Sequence, residues 1–321
     1  MEYRRFGRLD WKVSALGFGC MRLPTVGGDR AQIDEQLATR MLHYAIDHGV
    51  NYIDTAYPYH GGNSERFLGR ALQGGYRDRV RLATKMPCWL IGSRDDFDRY
   101  LDEQLARLQM ERVDFYLLHS LSAATWRKVR DLGVLEWAES ARRSGRFAHL
   151  GFSFHDGYAV FQEIVDAYDG WDLCQIQYNY MDVYNQAGTR GLRYAAGKGL
   201  AVVIMEPLLG GRLATPPEAV QGLWDSATRK RTAVDWALQW LWNQPEVAVV
   251  LSGMSAMAQV AENVASAARS GVNTLTPEEV ALVDRVRATY LGRCPIPCTQ
   301  CQYCLPCPNG LNVPGLLELL N

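Results

Sequence analysis

The sequence contains no apolar stretch that approaches the roughly 20 residues of a membrane-spanning helix. Its first residues, Met-Glu-Tyr-Arg-Arg-Phe-Gly, lack the apolar core of a secretory signal peptide. It also lacks a charge imbalance, because 34 lysines and arginines oppose 35 aspartates and glutamates. A nearly neutral chain has no electrostatic basis for binding nucleic acid or an anionic membrane. We therefore expect a cytoplasmic globular protein that binds neither.

A Gly-x-Gly-x-x-Gly motif is also missing after every predicted strand, which argues against a Rossmann domain. Instead, a hairpin over residues 2–12 precedes eight apolar strands that alternate with helices. The strands are predicted at 15–21, 51–56, 80–85, 113–119, 148–154, 173–179, 201–206 and 247–252. The helices are predicted at 32–48, 64–74, 95–109, 125–144, 158–168, 186–198, 230–243 and 256–269. Strands that are apolar on both faces are typical of a parallel sheet, so eight such units favour a (β/α)8 TIM barrel.

The cysteines are unevenly distributed, and five of the eight lie between residues 294 and 307. Clustering of this kind favours a metal centre in a reducing compartment over a disulfide framework. We predict that residues 1–292 form the barrel, closed by a helix near 276–290 that Thr276 caps. Residues 293–321 are then a short Cys-rich extension. The other cysteines, Cys20, Cys88 and Cys174, are expected to be small buried residues.

Polar residues end three of the predicted strands, namely Asp54, Lys85 and His119, and Tyr59 lies in the loop after the first of them. The carboxyl ends of parallel barrel strands meet at one rim, so these groups should converge. Carbonyl reduction needs an acid that protonates the developing alkoxide. A phenol is a poor acid near neutrality unless a nearby ammonium stabilises the tyrosinate, and a carboxylate can hold that ammonium in place. The four residues supply one group for each role.

The motif Asp54-Thr-Ala-x-x-Tyr59, the following Gly-x-x-Ser64-Glu65, then Lys85 and the strand ending at His119 resemble the aldo-keto reductase family over about residues 1–290. The resemblance implies that Tyr59 is the proton donor, that Asp54 and Lys85 form a buried pair, and that His119 orients the substrate. Ser64 is the expected N-cap of the helix that follows. Met21, Tyr57 and Trp89 would give a partly aromatic substrate pocket. Tyr57 and His60 flank Tyr59, and the alternative for both is an ordinary loop residue that lines the pocket.

The same resemblance implies a site for NADP or NAD at the ends of the later strands. Ser153 and Gln175 would bind the nicotinamide carboxamide, and Met205 would pack on the ring. The backbone from Leu208 to Leu213, with Gly210 and Gly211, would bind the pyrophosphate, because glycines permit close approach and N–H groups attract phosphate. The adenosine would be surrounded by Gly253, Met254, Gln259, Glu262 and Asn263.

The sequence departs from the family pattern at four of these positions. Phe154 replaces an asparagine that usually contacts the carboxamide, and Met205 replaces a common aromatic residue. Gly253 and Gln259 stand where many members have lysine and arginine against the 2′-phosphate. The loss of both cations weakens the electrostatic case for NADP over NAD, so the preference stays open.

The run Cys298-x-x-Cys301-x-x-Cys304-x-x-Cys307-Pro approaches the ferredoxin motif that ligates a [4Fe–4S] cluster. Two residues separate Cys304 from Cys307, whereas the ferredoxin motif has three residues before its last cysteine. The fourth ligand is therefore either Cys307 or Cys294. Zinc, or no metal at all, is the alternative. A barrel with this extension resembles a branch of the aldo-keto reductases that carries a ferredoxin-like C-terminus.

Together these features predict an NAD(P)(H)-dependent oxidoreductase that interconverts a small carbonyl compound and an alcohol. An iron–sulfur cluster in the extension would have a structural or sensing role, and a redox-active cluster would leave room for a redox partner protein. The alternative function is a nucleotide-binding redox sensor or regulatory module with little turnover. The intact set of catalytic residues favours the enzyme.

Overall fold

The structure, a computed structural model, describes residues 1–293, residue 305 and residues 307–320. Its strands are β1 (Tyr3–Phe6), β2 (Leu9–Ser14), β3 (Leu16–Gly19), β4 (Tyr52–Asp54), β5 (Arg81–Met86), β6 (Val113–Leu121), β7 (Phe147–Phe154), β8 (Leu173–Gln177), β9 (Ala201–Met205) and β10 (Val247–Gly253). Its α-helices are α1 (Glu35–Asp47), α2 (Asn63–Ala71), α3 (Asp95–Leu108), α4 (Ala123–Asp131), α5 (Val134–Arg143), α6 (Tyr158–Asp166), α7 (Gly188–Gly197), α8 (Glu218–Asp225), α9 (Ala233–Trp242), α10 (Met257–Ala267), α11 (Pro277–Gly292) and α12 (Val313–Leu320).

Eight parallel strands close into a barrel in the order β10-β3-β4-β5-β6-β7-β8-β9. Each strand pairs in parallel with its neighbour, and the pairing of β10 with β3 completes the ring. The predicted (β/α)8 barrel and its N-terminal hairpin are thus confirmed. Because all eight strands run in one direction, their carboxyl ends form one rim, where the candidate catalytic residues were expected.

The β1–β2 hairpin closes the opposite, N-terminal end of the barrel. Phe6 is fully buried and its ring lies 5.0 Å from that of Phe115 and 5.8 Å from that of Tyr52. Gly7 makes the turn with a φ of +54°, and a Cβ there would lie 2.5 Å from the backbone nitrogen of Ala201. The turn therefore requires glycine, and the hairpin covers the N-terminal end of the barrel interior.

The strands contribute to two apolar clusters, one on each face of the barrel wall. Leu173, Ala201 and Val203 belong to the cluster that also contains the hairpin residue Phe6. The alternate residues Cys174 and Val202 pack instead with the surrounding helices. Alternation along each strand thus tells which side chains face the barrel interior.

Two helices differ from the prediction. The single helix predicted at 125–144 is in fact two, α4 and α5, because Gly133 between them has a left-handed backbone with a φ of 78°. A helical hydrophobic pattern can continue across such a break, so periodicity did not show it. The short helix α8 was not predicted, although it buries Val220 and Trp224 against α11 and its neighbours.

Of the two N-cap residues predicted from the sequence, one is confirmed and one is wrong. Thr276 caps α11 in a capping box with Glu279, as predicted. The prediction that Ser64 caps α2 is wrong, because the helix begins at Asn63 and Gly62 is its N-cap residue. Ser64 is fully buried, and its hydroxyl lies 2.8 Å from that of Thr55. No helix in the described residues is long and apolar enough to cross a membrane.

Candidate active site

Lys85, Asp54 and Tyr59 form a buried charged cluster at the carboxyl rim of the barrel. β4 ends at Asp54, and the neighbouring strand β5 carries Lys85. Lys85 Nζ donates to Asp54 Oδ1 at 2.6 Å and to the carbonyl of Thr55 at 2.7 Å. The same ammonium lies 3.4 Å from Tyr59 Oη. The structure therefore brings the predicted acid, cation and carboxylate into one contiguous set.

The environment keeps both a charged lysine and a protonated tyrosine near neutral pH. Burial acts to lower the pKa of Lys85, but Asp54 and Tyr59 outweigh it and the pKa lies above its usual value. Burial raises the pKa of Tyr59, and the Lys85 charge opposes that rise. At neutral pH the phenol holds its proton beside an ammonium that favours losing it, which is the state of a general acid.

His119 lies opposite this pair, near the end of β6. Its ring is 6.1 Å from that of Tyr59 in an edge-on arrangement, and 5.1 Å from that of Trp89. Burial lowers the pKa of His119 well below its usual value, and the nearby Lys85 and His155 lower it further. The imidazole is therefore neutral, so one ring nitrogen can donate a hydrogen bond to a substrate oxygen.

Behind the cluster lies a network of buried polar side chains that was not predicted from the sequence. Glu65, which is 0% exposed, accepts from Thr84 at 2.6 Å and from Gln104 at 2.7 Å. Gln104 also donates to the carbonyl of Lys85 at 3.0 Å. Arg107 donates to Glu65 at 3.3 Å and to the carbonyl of residue 57 at 3.1 Å. The network thus supports both the lysine strand and the loop before Tyr59.

The predicted carboxamide residues lie next to each other. Ser153 of β7 pairs in register with Gln175 of β8, and both are 2% exposed. Gln175 Oε1 is buried and has no hydrogen-bond partner in the described structure. Phe154 points to the opposite side of the wall, where its ring lies 5.1 Å from that of Phe161. The substitution at position 154 therefore fills the core and leaves two polar groups facing the barrel interior.

The segment after β9 exposes backbone at its glycines. Gly210 and Gly211 have positive φ values of 67° and 102°, and a Cβ on Gly211 would meet no other atom within 4 Å. Leu213 is buried, and Leu208 packs against the same cluster. The side chains of Leu208 and Leu213 thus belong to the core, whereas Gly210 and Gly211 leave their main chain open to a ligand. Met205 at the end of β9 is half-buried and pairs with Gln177.

The predicted adenosine residues divide into two groups after β10. Met254 and Asn263 are buried, and Asn263 Nδ2 donates to Ser252 Oγ at 3.0 Å. Gln259 is exposed, and its Oε1 accepts from the backbone nitrogen of residue 255 at 2.8 Å. Glu262 is exposed and accepts from Thr232 at 2.7 Å. The buried pair shapes the turn, and the exposed residues can contact a ligand.

Arg22 is a cation at this site that sequence analysis missed. A Cβ on Gly253 would lie 2.8 Å from Arg22 Cγ, so the arginine side chain packs directly against the glycine in the space that a side chain would fill. Arg22 comes shortly after β3, which pairs with β10 at the closure of the barrel. The two positions are 231 residues apart in the sequence (253 − 22), and no local pattern joins them.

A sequence model of the Aldo/keto reductase family matches residues 15–288. The chain belongs to this family. It is similar to L-galactose dehydrogenase of Arabidopsis thaliana, with 28% identity over 286 residues that cover 83% of this chain and 88% of the relative. It is also 28% identical to 6-dehydroglucose reductase of Novosphingobium aromaticivorans, over 81% of this chain and 88% of the relative.

Solved structures agree with the match. The holo form of the aldo-keto reductase AKR11C1 from Bacillus halodurans is similar with a TM-score of 0.73 and 28% identity, covering 89% of this chain and 96% of that one. This aldo/keto reductase is therefore an NAD(P)-dependent oxidoreductase with the barrel of its family.

The opposite end of this aldo/keto reductase also has an open cavity, of about 560 Å³, beside Trp11 of the hairpin. Its central carboxylate, Asp114, is bound by Arg77 at 2.7 Å and by Arg81 at 3.0 Å. The backbone nitrogen of Leu82 donates to the same carboxylate at 2.8 Å. These contacts hold β5 to β6, which indicates a structural role, and the cavity lies at the end away from the catalytic residues.

Three of the four predicted metal ligands of this aldo/keto reductase, Cys298, Cys301 and Cys304, lie outside the described residues, as does the reserve Cys294. Within the described part of the chain, no group of His, Cys, Asp or Glu side chains is arranged to hold a metal ion. Cys307 is described, and it is a partly exposed free thiol. The metal site and the division at residue 292 remain predictions. The burial predicted for the remaining cysteines, Cys20, Cys88 and Cys174, is confirmed.

Proposed function

We propose that this protein interconverts a small carbonyl compound and an alcohol, with Tyr59 as the general acid and base. One observation carries the proposal: the ammonium of Lys85 connects Asp54 and Tyr59 in a buried site, with the neutral ring of His119 opposite. A bound NAD(P)H would supply the hydride to the carbonyl carbon. The proton that balances it comes from Tyr59 Oη, and Lys85 stabilises the phenolate that remains.

His119 acts on the other side of the substrate oxygen. A neutral imidazole donates one hydrogen bond and stays uncharged, so it orients the carbonyl without competing with Tyr59 as the acid. The reverse reaction needs the phenolate form of Tyr59. Because burial raises the pKa of this phenol, we expect alcohol oxidation to speed up as the pH rises and carbonyl reduction to prevail near neutrality.

We propose the same cofactor site that the family resemblance implies. Ser153 and the unpartnered Oε1 of Gln175 support a role in holding the carboxamide. The bare backbone at Gly210 and Gly211 can approach a pyrophosphate. The exposed turn at Gly253 would meet the adenosine, together with Met254, Gln259, Glu262 and Asn263.

Replacing Tyr59 with phenylalanine tests the assignment of the acid. Tyr59→Phe should lower kcat by at least about a hundredfold while nucleotide binding persists, since the variant loses only the phenolic hydroxyl group and with it the proton donor. Tyr57→Phe is the matched control, because that phenol bonds to Glu103 at 3.2 Å outside the cluster. Near wild-type turnover by Tyr59→Phe would remove Tyr59 from the role. A wild-type protein that binds nucleotide but reduces no carbonyl compound would support the sensor function instead.

The names of two relatives indicate which substrates to test first. Both are named for sugar chemistry, L-galactose dehydrogenase and 6-dehydroglucose reductase. Sugar aldehydes and the matching alcohols are therefore the first compounds to assay with this protein, using both NADPH and NADH.

We further propose that residues 293–321 form a Cys-rich extension that binds a [4Fe–4S] cluster through Cys298, Cys301 and Cys304, with Cys307 or Cys294 as the fourth ligand. The spacing of the cysteines supports it. A short Pro- and Cys-rich segment buries little apolar surface, so ligation would supply its folding energy. Hydride transfer moves two electrons and a cluster accepts one, which favours a structural or sensing role.

Anaerobic purification with assays of iron, sulfide and zinc tests this site. Iron and sulfide in a ratio near one, at about four of each per chain, are expected for the cluster. Changing Cys301 and Cys304 to serine should remove the iron and alter stability or KM, yet leave some carbonyl reduction. Zinc without sulfide would replace the cluster with a zinc site. Rapid reduction of the cluster by NAD(P)H alone would make it part of the electron path.

A further inference from the structure

Four polar side chains lie together at the carboxyl rim beyond the carboxamide residues: His155, Gln177, Asp182 and Gln186, here called the rim cluster. Gln177 ends β8, two and four residues after Gln175 and Leu173. Leu173 packs with the interior cluster, so alternation places Gln177 on the interior side of the wall. The rim cluster was not predicted, because Asp182 and Gln186 come from the loop between β8 and α7.

Hydrogen bonds fix the orientation of both amides. Gln186 Nε2 donates to Gln177 Oε1 at 3.0 Å, and Gln177 Nε2 donates to Asp182 Oδ2 at 2.7 Å. Gln186 Oε1 is buried and has no partner with good hydrogen-bond geometry among the described residues, although Gln186 lies close enough to His155 to act against the burial that lowers the pKa of that ring. A buried amide oxygen without a partner is costly unless a ligand or water donates to it. The Gln186 backbone is also left-handed, with a φ of 52°, a strained conformation of the kind that concentrates at binding sites.

The rim cluster adjoins the candidate reacting groups. The backbone nitrogen of His155 donates to the carbonyl of Leu121 at 2.9 Å, which extends the pairing of β7 with β6 past its end. His155 is also close enough to His119 to lower the pKa of that ring. Trp89, which is 41% exposed, also contacts His119, with the two ring centroids 5.1 Å apart. A substrate bound at His119 therefore has an aromatic surface and a polar cluster within reach.

The charge of the rim cluster selects among polar substrates. Asp182 is the carboxylate of the four, and its negative charge opposes an anionic substrate. The amides of Gln177 and Gln186 and the His155 ring can both donate and accept hydrogen bonds, which suits hydroxyl groups. The exposed Trp89, whose ring lies next to that of His119, also suits a molecule with an apolar C–H face.

We propose that the rim cluster binds the hydroxyl groups of a neutral, polyhydroxylated carbonyl substrate, with Gln186 Oε1 accepting from one hydroxyl. The inference rests on the proposed carbonyl reduction, and it adds which residues select the substrate. A site built to bond a hydroxyl discriminates strongly against the analogue that lacks it, because its own polar group is then left unpaired.

The test compares glyceraldehyde with propanal, which has the same carbon chain without hydroxyls, in the wild type and in Gln186→Leu. Gln73→Leu is the matched control, because Gln73 Nε2 donates to Gln109 Oε1 at 3.1 Å in a similar amide pair on the exposed surface. The wild type should prefer glyceraldehyde in kcat/KM by at least about tenfold. Gln186→Leu should remove at least about tenfold of that preference by slowing glyceraldehyde alone, and Gln73→Leu should keep it.

The outcomes separate the two proposals. Equal kcat/KM for both aldehydes in the wild type would overturn the role of the rim cluster and leave carbonyl reduction standing. Equal losses for both aldehydes in Gln186→Leu would also overturn it, since general damage to the site acts on every substrate. A preference for the anion glyoxylate over glyceraldehyde would contradict the neutral substrate. Reduction of no aldehyde by the wild type would refute the proposed function itself.

Discussion

Replacing Lys85 with methionine would remove the ammonium that contacts both Asp54 and Tyr59 while keeping most of the side-chain volume. At the 3.4 Å between Lys85 Nζ and Tyr59 Oη, an effective dielectric constant of about 20 makes a full charge pair worth about 5 kcal/mol. Only part of the negative charge has developed on the phenolic oxygen in the transition state. Half of it corresponds to about 2.5 kcal/mol, so kcat should fall by roughly 70-fold or more.

Stability should fall for a different reason. Lys85 and Asp54 are 1% and 2% exposed, and removing one partner of a buried ion pair typically costs about 3–5 kcal/mol because the other charge is left unpaired. The pKa of Lys85 is higher in the folded state than in the unfolded state. The stability that the ammonium contributes is therefore fully present at any pH below the unfolded-state pKa. It is lost only as the pH rises through the folded-state pKa. Its effect on unfolding should thus be complete at neutral pH.

The assay combines steady-state carbonyl reduction with urea unfolding of Lys85→Met and of the double variant Lys85→Met/Asp54→Asn. The double variant removes both charges, so it should regain much of the lost stability but none of the lost kcat. That split separates the catalytic effect of the ammonium from damage to the fold. A Lys85→Met protein whose kcat stays within about fivefold of the wild type would refute the role given to the charge.

Three further predictions follow from other contacts. Glu65→Gln should destabilise the protein by about 1–3 kcal/mol in urea unfolding and lower kcat without changing the nucleotide Kd; an unchanged kcat would show that the network behind the active site only supports the fold. Because Gly253 has no cationic side chain, the Kd values for NADPH and NADH should differ by less than about tenfold; a larger preference that Arg22→Gln abolishes would assign the 2′-phosphate to Arg22. Asp96→Asn should lower the urea midpoint at neutral pH, because Arg99 and two backbone amides hold the pKa of Asp96 at about 2. That contribution is present above the unfolded pKa of about 4 and is lost as the pH falls toward 2. The variant should therefore lose less stability than the wild type between those values, and an equal loss would contradict the argument.

The sequence by itself was sufficient for the barrel and for the catalytic cluster. Strand number and direction follow from alternating apolar strands and helices, and parallel strands bring their carboxyl ends to one rim whatever their separation along the chain. Asp54, Lys85 and His119 end or nearly end three consecutive neighbouring strands. Their convergence therefore needed no knowledge of side-chain packing.

Tertiary structure decided the contacts that depend on how helices and loops pack on that barrel. Glu65 and Gln104 lie 39 residues apart on α2 and α3 and meet only because those helices pack together. The family resemblance implied that Phe154 removes one cofactor contact, and the structure adds that strand alternation places its ring in the core beside Phe161. Arg22 reaches Gly253 because barrel closure joins the first barrel strand to the last. The periodicity of apolar residues in the sequence indicates where strands and helices lie and which face of each is buried. Side-chain hydrogen bonds between elements depend instead on the distances at which those elements pack, and periodicity carries no information about these distances.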